Sequence, residues 1–204
     1  LLCCAVPAQA QSEAPANEQT ANVPVEWFTL LPAQAGEGVL VGAKRQPSGR
    51  REASIRGAYL VQGRDRPEAF ELVLFPYSDA LRNRFAQFPP METEELPEGT
   101  EAFTDGERRA IALNEQTGYV ALVTIPGPAD LALSDALMRL PVSILERAGN
   151  EAAQTMDSSV ETGIAPLLAA LPLRMSRLEL MGVEMAEPGT SQLGAKVSYA
   201  AGPE

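Results

Sequence analysis

The chain has 204 residues, of which 45% are hydrophobic, with 16 basic and 27 acidic side chains and a formal net charge of −11 at pH 7. The acidic balance argues against nucleic-acid binding, which needs a cationic face, and against adhesion to anionic lipid. The sequence contains no histidine, which excludes Ser-His-Asp and Cys-His catalysis and imidazole-ligated zinc.

The first ten residues are typical of the final part of a secretory signal peptide. An apolar run ends in Ala8-Gln9-Ala10, a small-x-small pattern that signal peptidases cleave, and a polar segment follows. The only cysteines, Cys3 and Cys4, lie in this run, so cleavage would leave a chain without thiols or disulfides. The alternative is an apolar arm packed on the domain.

We therefore expect an exported protein, either periplasmic or secreted. Arginine outnumbers lysine 14 to 2, which we interpret as the codon bias of a bacterial source. Residues 11–22 are polar and predict a disordered arm, and residues 23–200 have the length of one domain. No apolar run is long enough to predict a transmembrane segment.

Alternating apolar and polar residues predict three consecutive strands after this arm. In the second strand Ile55, Tyr59 and Val61 share one face and Arg56 lies on the other, which is typical of a half-buried antiparallel strand. Turn residues separate the segments. The predicted strands, which form a meander, are 37–45, 52–62 and 68–75.

The middle of the chain predicts a helix followed by a hairpin. The helix begins at Ser78, places Leu81 and Phe85 on one face, and ends before Pro89. Strands 108–113 and 119–125 form the hairpin after an acidic loop. The second of these strands is apolar on both faces, which indicates an interior position in a sheet.

Helical patterns over 130–148 and 151–171, and strands over 174–185 and 192–200, complete the chain. Because strands occur in consecutive runs, we expect an α+β fold. The prediction is a single domain with a mainly antiparallel sheet of six to eight strands and two or three helices packed on one side. No repeat with a solenoid period is evident.

The acidic loop is a candidate for carboxylate chemistry. Residues 92–107 contain seven acidic side chains and no base. Glycoside hydrolysis needs two carboxyl groups across a cleft, and calcium needs six to eight oxygen ligands. A solvated loop is the simpler interpretation, because no EF-hand spacing occurs. The calcium candidates are Glu95, Glu98, Asp105 and Glu107.

Three arginines flank the predicted turn between the first two strands. Guanidinium groups bind carboxylates and phosphates through paired hydrogen bonds. Arg45, Arg50 and Arg51 therefore form a predicted patch for an anion or a protein partner. The alternatives are solvated arginines and an internal pairing with the acidic loop.

These observations favour a non-catalytic exported domain that binds a partner protein or a small apolar or anionic ligand in the cell envelope. They indicate no cofactor and no catalytic residue. Two alternatives stay open. One is a carboxylate-dependent hydrolase or calcium-binding protein centred on residues 92–107. The other is a structural subunit of an envelope assembly, whose sign would be a large exposed apolar patch.

Overall fold

The computed structural model describes residues 23–47, 52–61, 68–92, 96–126, 133–149, 163–185 and 194–201. The predicted signal peptide and polar arm lie outside these residues. In the described ranges, one sheet of ten strands is accompanied by four helical elements.

The elements follow one another in three groups along the chain. The first group is a 3-10 helix (Val25–Leu30), β1 (Gln34–Ala35), β2 (Gly38–Gln46), β3 (Ser54–Val61) and β4 (Glu68–Pro76). The second is α1 (Asp79–Phe85), β5 (Thr100–Thr104), β6 (Arg109–Asn114) and β7 (Tyr119–Thr124). The third is α2 (Asp135–Ala148), α3 (Ala165–Ala170), β8 (Arg174–Met175), β9 (Leu178–Met185) and β10 (Ala195–Ala201).

All these strand pairings are antiparallel. The strand order is β10-β9-β2-β3-β4-β7-β6-β5, with β1 beside β2 and β8 beside β9. This confirms the α+β class, the meander β2-β3-β4 and the hairpin β6-β7. The strand β7 lies between β4 and β6, so its interior position is also confirmed.

The sheet has more strands than the sequence predicted for two reasons: β1 and β8 contain only two residues each, and β5 lies within the segment 92–107 that was predicted to be a loop. The predicted strand 174–185 is a tight hairpin of β8 and β9, and Ser176 adopts a left-handed φ of 54° between them. Gly36, with a φ of 56°, makes the corresponding turn between β1 and β2. Alternation of side chains cannot reveal a two-residue strand.

Two of the helices, α1 and α2, begin where a serine hydroxyl caps them. Ser78 Oγ accepts a hydrogen bond from Leu81 N at 3.3 Å, and Ser134 Oγ accepts one from Leu137 N at 3.3 Å. The helix α2 runs through Pro141, which is buried. None of the helices in the described part of the chain combines the length and the apolar character that a membrane-spanning helix requires.

Two apolar clusters lie on opposite faces of the sheet, because successive side chains of a strand alternate between faces. The larger cluster includes Tyr59 and Leu72, and the 3-10 helix, α2 and α3 pack on it. The smaller cluster includes Val73 and Phe75, and α1 covers it. The helices therefore lie on both faces, and the prediction that they all pack on one side is wrong for α1, because its apolar residues face the outward side chains of β4. On this second face, no described helix covers the part formed by β3, β2, β9 and β10.

Leu72 is expected to be critical for folding, because it is fully buried in the central strand β4. Leu72→Ala should lower the free energy of unfolding by about 2–5 kcal/mol, through lost burial and the cavity it leaves. The matched control is Leu178→Ala. Leu178 is 42% exposed, so we expect a loss of about 1 kcal/mol or less. Urea denaturation of both variants measures the difference, and equal losses would contradict the described core.

Candidate functional site

The structure places Arg45, one of the three predicted anion-binding arginines, in the protein interior. The residue is 6% exposed. Its Nε donates to the carbonyl oxygen of Val23 at 2.7 Å, and its Nη1 forms an ion pair with Oε2 of Glu179. Arg50 and Arg51 lie outside the described residues. Arg45 therefore has an internal carboxylate partner, and a patch formed by all three arginines stays a prediction.

Glu179 contacts a second arginine as well as Arg45. It binds Arg45 through one oxygen and accepts a hydrogen bond from Arg174 Nε at 3.2 Å through the other. The hydrogen bond from Arg45 lowers the pKa of Glu179. Desolvation opposes this shift, and Arg174 reinforces it. The carboxylate is thus held in its charged form.

In the described part of the acidic loop, the side chain of Asp105 is hydrogen-bonded to the backbone of the residues that follow it. Asp105 Oδ1 accepts hydrogen bonds from the backbone N–H groups of Glu107 at 3.1 Å, Arg108 at 2.8 Å and Arg109 at 2.8 Å. Desolvation raises the pKa of Asp105, but these three donors outweigh it and lower the pKa overall. This carboxylate therefore has a structural role in the turn before β6.

The calcium candidates are only partly described. Glu95 lies outside the described residues, and the backbone carbonyl of Glu98 accepts a hydrogen bond from Asn114 Nδ2 at 2.9 Å. Glu101, which lies in the same acidic segment but on strand β5, pairs with Arg82 at 2.7 Å. In the described ranges, no group of three or more acidic side chains is placed so that it would hold a metal ion. The calcium site stays a prediction.

A pocket that the sequence analysis missed lies on the uncovered part of the second face. It is open to solvent and has a volume of about 320 Å³. Its floor contains Gly42 and Ala58, which are cross-strand partners in β2 and β3. A methyl group at position 42 would lie 3.6 Å from Ala58 Cβ and 3.8 Å from Glu184 Cγ. The small floor residues therefore make the depression.

Two cations stand side by side at this pocket. Lys44 and Arg56 are direct cross-strand partners, an arrangement in which like charges repel. Nη1 of Arg56 lies 3.4 Å from Oε2 of Glu71. Lys44 forms no ion pair within the described ranges, and the buried Arg56 Nε has no hydrogen-bond partner there. The cations thus retain capacity to bind an anionic group.

A second carboxylate limits the pocket on the other side. Glu184 is opposite Gly42 in the pairing of β9 with β2, and opposite Lys196 in the pairing of β9 with β10. Lys44 and Arg56 lie in one row of cross-strand partners. The carboxylates of Glu71 and Glu184 lie in the neighbouring row, on either side of Gly42 and Ala58. Such a site can bind a small polar molecule through charge and hydrogen bonds.

The sequence analysis did not include Lys44 among the candidate binding residues, because the register of β2 and β3 is set only in the folded chain. Lys44 is exposed on β2. The feature that would have indicated this pocket is a pair of cations, Lys44 and Arg56, that are cross-strand partners in the hairpin of β2 and β3. Compared with protein-family models, curated proteins and solved structures, the chain gives no match. The geometry of the described residues is therefore the basis for assigning a function to the chain.

The Arg45–Glu179 pair generates a prediction about stability. Glu179→Gln removes the charge that compensates the buried guanidinium, so it should lower the free energy of unfolding at neutral pH by about 3–5 kcal/mol. The control is Glu101→Gln, whose pair with Arg82 is exposed. This control should cost about 1 kcal/mol or less.

The same pair should make stability depend on acid pH. Because the pKa of Glu179 is lower in the folded state, its contribution is present above the unfolded pKa, about 4.3. It is lost as the pH falls through the folded pKa. The Glu179→Gln variant should therefore lose less stability than the parent between neutral and acid pH. Urea denaturation across this range measures both slopes, and parallel slopes would contradict the assignment.

Proposed function

We propose that this chain is a non-catalytic binding domain that takes a small carboxylate- or phosphate-bearing molecule in the pocket on its second sheet face. The observation that carries the proposal is the pair of adjacent cations, Lys44 and Arg56, at a floor of Gly42 and Ala58. A carboxylate or phosphate placed between them would relieve their repulsion. It would also accept hydrogen bonds from both groups.

The size of the pocket restricts the ligand. Ligand pockets commonly have volumes of about 300–1,000 Å³, and about 320 Å³ is at the small end. The pocket also lies on paired strands, which hold Lys44 and Arg56 at a fixed separation. We therefore expect a compact ligand that binds with little rearrangement of the backbone.

The carboxylates restrict the ligand further. Glu71 and Glu184 would repel a polyanion, and the net charge of −11 adds to this effect. Glu184 forms no ion pair in the described part of the chain, so it is available to accept a hydrogen bond or pair with a cation. The pocket accordingly favours a ligand with one anionic group and a nearby ammonium or hydroxyl group. Hydroxy acids and amino acids have this chemistry.

The location of the protein belongs to the same proposal. The N-terminal pattern Ala8-Gln9-Ala10 supports export, and a periplasmic or secreted domain that binds a small acid would act in ligand capture or delivery. No cofactor is needed for that role. No observation on the described acidic loop favours the hydrolase or calcium alternative over the structural roles of Asp105 and Glu101.

Lys44→Gln should weaken binding of a small acid at least about tenfold, because a hydrogen bond to a charged group contributes about 1.5–3 kcal/mol. The probes are inorganic phosphate, lactate and serine, tested by isothermal titration calorimetry at low ionic strength. Gly42→Val should also weaken binding, because its side chain would fill the floor next to Ala58.

The matched control is Lys196→Gln, which removes the same charge on the same face but outside the pocket lining. This variant should bind like the parent protein. The proposal would fail if none of the probes bound at millimolar concentration. It would also fail if Lys44→Gln and Lys196→Gln weakened binding equally.

A further inference from the structure

Two parts of the chain repeat one structure. The first unit consists of the described residues between 25 and 61, with the 3-10 helix, β1, β2 and β3. The second unit consists of the described residues between 165 and 201, with α3, β8, β9 and β10. Each described residue of the second unit lies 140 positions after its counterpart in the first.

The tight hairpins of the two units match residue by residue. Gln34 pairs with Val39 in the first unit, and Arg174 pairs with Glu179 in the second. The turn residues Gly36 and Ser176 both have a left-handed φ, of 56° and 54° respectively. A serine in this conformation is uncommon, so the agreement is a specific feature of the repeat.

The longer hairpins match as well. Tyr59 Oη donates to the carbonyl oxygen of Pro32 at 2.9 Å, and Tyr199 Oη donates to that of Pro172 at 2.9 Å. Both hairpins also shift register at the same point. The pair Leu40–Tyr59 is followed by Gly42–Ala58, and the pair Leu180–Tyr199 is followed by Gly182–Ser198.

The two units pair with each other through β2 and β9. Ala43 is opposite Val183, and on either side Gly42 is opposite Glu184 and Lys44 is opposite Gly182. Gly182 is the counterpart of Gly42, and Glu184 is the counterpart of Lys44. A local two-fold axis at the Ala43–Val183 pair therefore exchanges β2 with β9. The outer strands β3 and β10 occupy equivalent positions about this axis.

The units differ in what lies beyond these outer strands. The outer edge of β3 is paired with β4, and Tyr59 stacks on Phe70 of β4 with ring centroids 4.9 Å apart and planes 2° apart. Within the described ranges, no strand pairs with the outer edge of β10, and Tyr199 has no ring partner. Most side chains of β10 are exposed, and nearby Met175 and Leu178 are 40% and 42% exposed.

We propose that the outer edge of β10 is a strand-binding site for an extended segment of a partner protein with the chemistry of β4. The segment would add antiparallel to β10, place an aromatic ring against Tyr199, and place a carboxylate near Lys196. An exposed strand edge offers unpaired backbone groups that bind such segments. The first unit shows the same edge already occupied.

Charge complementarity supports the carboxylate. Lys196 is the counterpart of Arg56, whose Nη1 lies 3.4 Å from Oε2 of Glu71 in β4. Lys196 forms no ion pair in the described part of the chain. A second copy of this chain could instead pair with this edge through its own β10. That strand would supply a second Lys196 and no acidic side chain, because β10 contains no carboxylate. An acidic apolar segment is therefore the better partner.

The probe is a synthetic peptide with the sequence of β4, residues 68–76 (EAFELVLFP), joined to a fluorophore through a polar linker. We expect it to bind the full chain by fluorescence anisotropy and to slow hydrogen exchange of the β10 backbone amides. Lys196→Glu should weaken binding at least about tenfold, and a peptide with Glu71→Lys should restore binding to this variant.

Two controls separate this site from the pocket. Lys44→Gln should leave peptide binding unchanged, whereas it weakens binding of the small acid. A peptide with Leu72→Pro should not bind, because proline removes a backbone donor from the strand. A failure of peptide binding therefore leaves the small-acid experiment unaffected.

Several results would overturn the proposal. One is the absence of binding, or binding without protection of β10. Another is binding that is lost in Arg56→Glu but not in Lys196→Glu, since the peptide would then have replaced β4 beside β3. A third is a dimer, detected by analytical ultracentrifugation, that protects β10 without peptide, since a second copy would then occupy the edge.

Discussion

The pairing of β2 with β9 is the contact on which the rest of the structure depends. It joins residues from distant parts of the chain through three direct residue pairs. The buried Arg45–Glu179 ion pair supports it at one end, with Arg45 on β2 and Glu179 on β9. Because removal of the Glu179 charge would leave the guanidinium of Arg45 buried without a carboxylate, this pair makes the junction sensitive to substitution and to acid.

The candidate pocket lies on the same junction. Gly42 and Lys44 of β2 are opposite Glu184 and Gly182 of β9, and three of these four residues line the pocket. The junction thus sets the distance between the cation of the first unit and the carboxylate of the second. A change that weakened the pairing of the units would move the proposed ligand-binding groups apart.

The two units, although equivalent in backbone, are buried to different extents. Helix α2 and strand β4 complete the first unit, so Tyr59 is fully buried, whereas Tyr199 is only partly buried. The repeat therefore provides one unit that serves as the centre of the core and another that presents an edge and a partly apolar surface. The proposed small-acid pocket lies at the junction of the two units, and the proposed strand-binding site lies at this outer edge.

The sequence by itself determined the α+β class, the meander β2-β3-β4 and the hairpin β6-β7. Alternation and turn residues act between neighbours in the chain, so local reading suffices for them. Only the tertiary structure decided that Arg45, predicted from the sequence to be part of an anion- or partner-binding patch beside a turn, is buried against Glu179, 134 positions away. It also brought Lys44 and Arg56 together and paired β2 with β9. Strand register and long-range partners depend on which surfaces meet in the folded chain, and no local pattern records that choice.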